Sequence, residues 1–129
     1  MGLVDESTFE GCRSLAVVDL PAKLSRIGRR AFKGCEALSS IILPSGVREI
    51  GLDAFAQCRS LARIAIPKDM RELEDTDVFG GCDSLTDISF GGSREAWELL
   101  TSGKTLTVER GDLSLFTPKV TFLNLKNEV

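Results

Sequence analysis

Four cysteines are the residues best equipped for chemistry in this 129-residue chain, at Cys12, Cys35, Cys58 and Cys82. Thiolates act as nucleophiles, ligate zinc or pair as disulfides. Each of those roles needs a geometry that the spacing does not supply. The steps between cysteines are 23, 23 and 24 residues, and a Phe stands three residues before each one, at Phe9, Phe32, Phe55 and Phe79. A constant step of that size marks a repeat in which each unit adds one coil to a stack. One Cys per coil puts the four on a single line, pointing the same way, with neighbours about 4.8 Å apart. Such a row does not surround a metal at about 2.3 Å per sulfur, because its outer members lie too far away. A bridge between adjacent coils is within Cα reach, yet parallel side-chain vectors disfavour it. The spacing therefore predicts a row of buried thiols that behave as small hydrophobes, with disulfide and metal as the lesser alternatives.

Other catalytic chemistry has little to draw on. The chain has no His and no Tyr, so the commonest general base is missing. It carries neither a G-x-S-x-G nucleophile turn nor a Gly-rich phosphate loop, and carboxylate-pair hydrolysis is the enzymatic form least at odds with its residues. A formal charge of -3 and a pI near 5.0 offer no long-range attraction to phosphate backbones or anionic lipid, so neither nucleic acid nor a membrane surface is expected as a partner. No stretch approaches the roughly 18 apolar residues of a membrane span, and residues 1–12 hold acidic groups without an apolar signal segment. The expected compartment depends on chain length: cytoplasmic if the sequence is complete, secreted or cell-surface if it is cut from a longer precursor.

A strand pattern after each thiol fixes its position. Behind the successive cysteines come Leu15, Val18 and Leu20, then Leu38, Ile41 and Leu43, then Leu61, Ile64 and Ile66, then Leu85, Ile88 and Phe90. The last two of each set alternate with period two and favour β-branched residues, as a strand with one face on a core requires. Pro21, Pro44 and Pro67 lack the N–H that a continuing ladder needs and end the first three strands at one height. A second apolar pair comes next: Leu24 and Ile27, Val47 and Ile50, Met70 and Leu73. These form the opposite wall, after which Gly28 and Gly51 are read as positions of positive φ.

The string Ile-Gly-x-x-Ala-Phe-x-x-Cys-x-x-Leu-x-x-Ile-x-Leu-Pro, complete from Ile27 to Pro44 and with Ile for the final Leu from Ile50 to Pro67, resembles the BspA-like class of bacterial leucine-rich repeats. The resemblance covers about residues 4–90. It implies a mostly β, right-handed leucine-rich-repeat solenoid of parallel strands with about 23 residues per coil. Modules of that family are common in bacterial cell-surface or secreted binding proteins. Unlike standard leucine-rich repeats, this chain has no Asn after its strand motif. The expected organisation is one domain over 1–129, with repeats at about 4–90 and a helix/strand cap at 91–129.

The repeat breaks in three places. In the third coil Glu74 replaces the expected Gly and one extra residue is inserted, so a bulge or loop belongs there. Its carboxylates, Glu74, Asp75 and Asp77 among them, raise calcium as an idea, but without the glycine and distal Glu of an EF-hand loop they read as a solvated acidic turn. After Phe90, Gly91 and Gly92 precede Ser93, an N-cap for a helix over 94–102 ending at Gly103. Trp97 and Leu100 share one face of it and lid the last coil, while Leu106 with Val108 and Val120 with Phe122 suggest two short strands. At the other end only three residues precede Val4, which already belongs to a repeat. The first coil, with Phe9, Leu15 and Val18, is expected to expose apolar surface and to self-associate or to lie under further repeats.

The strand residues that face outward define a candidate binding face. Val17, Ser40, Arg63 and Asp87 form one row, and Asp19, Ile42, Ala65 and Ser89 the next. A non-enzymatic module that presents this concave face to an unidentified protein or surface ligand, without a cofactor or metal, is the leading reading. A spacer or assembly segment with end-to-end contacts is the alternative. Arg63 and Asp87 are expected side by side, and Arg13, Glu36, Arg59 and Asp83 read as a second charge ladder.

Overall fold

The computed structural model describes residues 3–4, 6–74, 78–103 and 106–123. Every coil turns on the same two sets of short hydrogen bonds. At one corner Leu24, Val47 and Met70 donate their N–H to the carbonyls of Pro21, Pro44 and Pro67, over 3.0, 3.1 and 3.3 Å. At the other, the N–H of each Cys donates to the carbonyl of the Phe three residues back. Between corners the chain is extended, giving β1 (Leu3–Val4), β2 (Arg26–Ile27), β3 (Ser40–Ile42), β4 (Glu49–Ile50), β5 (Arg63–Ile66), β6 (Glu72–Leu73) and β7 (Asp87–Phe90). The remainder holds α1 (Arg94–Leu100), β8 (Val108–Glu109), β9 (Leu115–Phe116) and β10 (Lys119–Phe122).

These strands stack in register as two parallel sheets, β1-β2-β4-β6 and β3-β5-β7-β10. A third ladder runs along the Phe-x-x-Cys turns, where Phe9, Phe32 and Phe55 donate to Ala31, Ala54 and Val78 of the next coil over 2.7, 2.8 and 3.3 Å. Side chains pointing between the walls fill the coils. Phe32, Phe55 and Phe79 are fully buried, and the ring centroids from Phe9 to Phe79 step by 5.2, 5.4 and 5.9 Å in stacked orientation. Burying each such side chain contributes roughly 1.5–3 kcal/mol.

The cysteine row forms as expected in three of its four members. Cys35, Cys58 and Cys82 are buried free thiols whose Sγ atoms donate to the carbonyls of Phe9, Phe32 and Phe55 one coil back, over 3.3, 3.1 and 3.0 Å. This thiol ladder stitches coil to coil where the sequence has no Asn. Burial pushes the Cys35 thiol up to about 12, and the Cys58 sulfur together with burial pushes Cys82 up too. Neither supplies a thiolate near neutral pH, so neither is a nucleophile. Cys12 corrects the expectation of four buried thiols, because it lies exposed on the first coil. A thiol reagent should therefore titrate one sulfur fast and three only at the unfolding rate, and Cys12→Ser should abolish the fast phase. Four fast thiols in the native state would overturn the ladder.

Other residues depart from the expectation of their spacing. Residues 15–20 form no strand, so Val17 and Asp19 do not belong to the sheet. Phe9, Leu15, Val18 and Leu20 are only partly buried, so this coil packs its segment less firmly than the coils that follow. Positive φ falls not at Gly28 and Gly51 but two residues later, at Arg30 (57°) and Asp53 (56°), matching Ser7 (60°) in the first coil. Gly51 is required for a different reason: a Cβ there would sit 2.7 Å from the Arg29 nitrogen and 2.9 Å from the Gly28 carbonyl carbon. The acidic insertion is described only at its start. Glu74 bonds Arg29 at 2.6 Å, which holds its carboxyl below the usual range, while 75–77 lie outside the described residues.

The cap matches the sequence expectation at its helix and at its two strands, which form at Val108–Glu109 and Lys119–Phe122. Ser93 Oγ accepts the Ala96 N–H at 3.2 Å, Thr101 is the C-cap of α1, and Gly103 has φ 73°. Trp97 is buried against Phe90, ring to ring at 5.2 Å, which makes it the expected lid. These two strands join different sheets. β8 forms an antiparallel ribbon with β9, and β10 joins β7 as a fourth parallel strand.

Candidate interaction face

Alternation within β3, β5, β7 and β10 sends Ile41, Ile64 and Ile88 into the core and leaves their neighbours on the outside. Parallel register aligns those outer residues into two rows. Ser40 lies beside Arg63, Arg63 beside Asp87 and Asp87 beside Lys119, while Ile42, Ala65, Ser89 and Thr121 succeed each other in the second row. Six of the eight predicted residues are thus brought together, and Val17 and Asp19 lie exposed beyond the edge strand β3. Lys119 and Thr121 were missed, because β10 starts 32 residues after β7 and outside the repeat step. Their Lys-Val-Thr-Phe alternation was the only available signal.

Several charges on the coils pair within the molecule. On the β1-β2-β4-β6 side and its turns Arg26 meets Glu49 at 3.5 Å, Arg29 meets Glu74 at 2.6 Å and Arg30 meets Glu6 at 2.7 Å. The predicted ladder behind the cysteines also closes on itself, as Glu36 lies 3.9 Å from Arg13 and 3.6 Å from Arg59. Its fourth member, Asp83, instead accepts the Gly111 N–H at 2.7 Å and anchors the cap. Arg63 and Asp87 are adjacent as expected, yet among the described residues no ion pair joins them, and Asp87 accepts the Thr86 hydroxyl at 3.0 Å. The outer face therefore presents a +, −, + series at Arg63, Asp87 and Lys119 without ionic partners among the described residues. Beyond it lies an aliphatic rim, Val17 and Ile42, exposed to 77% and 78%.

Comparison with known proteins agrees with this architecture. Residues 3–98 match the BspA type leucine rich repeat region in six copies. Among solved structures, a leucine-rich repeat protein from Bacteroides ovatus is 40% identical over 68% of this chain and 22% of its own, with a TM-score of 0.63. The T. pallidum leucine rich repeat protein, TpLRR, is 33% identical over 94% of this chain and 45% of its own, with a TM-score of 0.65. This chain thus spans less than half of either structure. No curated protein matches it. The coil, the buried Phe-x-x-Cys seam and the six matched copies together place the chain in the BspA-type leucine-rich repeat family.

Proposed function

We propose that the chain is a non-enzymatic interaction module that holds a protein or a cell-surface ligand on the outer face of the β3-β5-β7-β10 sheet. The observation that supports this is the in-register series of opposite charges along one row of the sheet. Arg63, Asp87 and Lys119 lie side by side on three neighbouring strands and, without an ion pair among the described residues, leave their ionic capacity to an incoming surface. A rigid frame favours such a role, since little ordering entropy remains to be lost on binding. Ile42 supplies the apolar part of the contact and the charged series its register.

The test compares Arg63→Glu/Ile42→Asp with the parent chain for binding to a fractionated cell-surface preparation, with thermal midpoints measured alongside. Both side chains are exposed, so the midpoint should hold while affinity falls about ten- to a hundredfold, at about 1.4 kcal/mol per factor of ten. Equal binding by both chains would leave the spacer reading in place. That second reading has its own observation: Phe9, Leu15, Val18 and Leu20 are half exposed, whereas their counterparts one coil later are buried. Self-association through this end would appear as concentration-dependent mass in light scattering, and a monomer at high concentration would exclude it.

A further inference from the structure

A cleft of about 330 Å³ lies away from the outer sheet face, between the Phe-x-x-Cys turns and the β8–β9 ribbon. The ribbon is pinned above those turns by Gly81 N–H to Glu109 O at 2.6 Å and by Gly111 N–H to Asp83 at 2.7 Å. The volume is at the small end for ligand pockets, which run from roughly 300 to 1,000 Å³.

The residues lining this cleft break the rules that the repeat otherwise keeps. In the Phe-x-Gly-Cys turns, Gly11, Gly34 and Gly81 have φ of 76°, 77° and 79°. The third coil has Gln57 at that position, at φ 60°, a conformation that a side chain makes costly. Its Cγ extends over Gly81, 3.2 Å from where a Cβ on that glycine would lie. The amide has no hydrogen bond among the described residues, and neither the Lys33 ammonium nor the Asp53 carboxylate has a partner there. The Arg110 guanidinium lies over the Phe116 ring, 4.1 Å from its centre.

We propose that this cleft binds a neutral, hydroxyl-rich ligand of one or two saccharide units. The lining carries three basic and three acidic residues, so it offers no net charge to a strongly anionic or cationic ligand. A carboxylate, an amide, an ammonium and a guanidinium in one small space suit adjacent hydroxyls, each of which both donates and accepts. Apolar lining is confined to Ala56 and Leu113, too little to bury the aromatic anchor of a protein partner. Leu113, 77% exposed at φ 68° on the ribbon tip, is placed to cover the C–H face of a sugar ring.

The experiment is a nitrogen-15 NMR titration with maltose, cellobiose, lactose and diacetylchitobiose, alongside a sulfated disaccharide and a short acidic peptide. At least one neutral disaccharide should give saturable shifts centred on the Gln57, Gly81 and Gly111 amides. Asp53→Asn and Gln57→Gly should each weaken it about tenfold, the effect of one hydrogen bond to a charged or preorganised group. Gln57→Gly should at the same time raise the thermal midpoint, because glycine relieves the left-handed backbone, which separates lost binding from lost structure. Shifts with only the sulfated sugar or the peptide, no shifts at these amides with any neutral sugar, or undiminished affinity in both variants would each overturn the proposal. The Arg63→Glu/Ile42→Asp chain should bind the sugar normally, so failure of the sheet-face reading leaves this result unaffected.

Discussion

Phe55→Ala lowers the stability of the chain by about 3–5 kcal/mol, the range for removing a large buried aromatic together with the cavity it leaves. Phe55 is fully buried and stacks between two like rings, 5.4 Å from Phe32 at an interplanar angle of 1° and 5.9 Å from Phe79 at 24°. The cavity opens at the middle of the seam, where relaxation is hardest. The backbone on both sides is fixed by the Phe32 N–H to Ala54 bond at 2.8 Å and the Phe55 N–H to Val78 bond at 3.3 Å, so the coils cannot close onto the gap. The Cys82 thiol, which donates to the Phe55 carbonyl at 3.0 Å, further ties this backbone to the next coil. Urea unfolding reads the effect: with a slope of about 1–3 kcal/mol per molar, the midpoint moves by a molar or more. Phe9→Ala is the internal control, because Phe9 is half exposed with one ring neighbour and should cost less. A loss below about 1 kcal/mol at Phe55 would mean that the seam does not carry the fold.

Legibility in the sequence tracks the forces that repeat. Burial repeats with the coil, so the Phe seam, the Leu-x-x-Ile-x-Leu strands and the inward isoleucines could all be read from spacing alone. Trp97 was legible as a lid because the end of a stacked core needs one, and Phe90 at the last coil is met by it. Glycine at position 51 was visible while its cause was not, since close approach between backbones of adjacent coils leaves the same residue as a positive φ does. The first strand failed at Val17 and Asp19 for a converse reason. Its side-chain pattern is intact, but Leu15, Val18 and Leu20 are only partly buried, and spacing alone does not say how firmly a given coil is packed. The strand at Val120 was legible, but its place beside β7 and the cleft were not, because both arise where the period has ended. Nothing in the spacing of Lys119 or Arg110 tells where the ribbon and the fourth strand come to rest.

Trp97→Ala tests that dependence from the cap side and should cost about 3–5 kcal/mol, with a different signature from Phe55→Ala. Trp97 is 7% exposed and tilted 56° against Phe90, which also meets Phe122 edge-on at 6.5 Å. Phe122 belongs to β10 and carries the Arg94 guanidinium of α1 at 4.9 Å, so helix, ring and strand hold one another in place. With the indole gone, α1 has only half-buried Ala96 and Leu100 to offer the core, and its seven residues are too few to persist without packing. The loss should therefore be local first. Hydrogen exchange should show the Lys119 and Leu123 amides, bonded to Thr86 and Phe90 at 2.8 and 2.9 Å, opening well before the amides of Phe32 and Phe55. Uniform loss of protection would instead show that cap and coils melt as one unit. Since β10 supplies Lys119 and Thr121 to the outer face, the same variant should weaken any ligand held there, although Trp97 itself lies in the core. Trp97→Phe, which keeps a ring on Phe90, should restore most of both the protection and the binding.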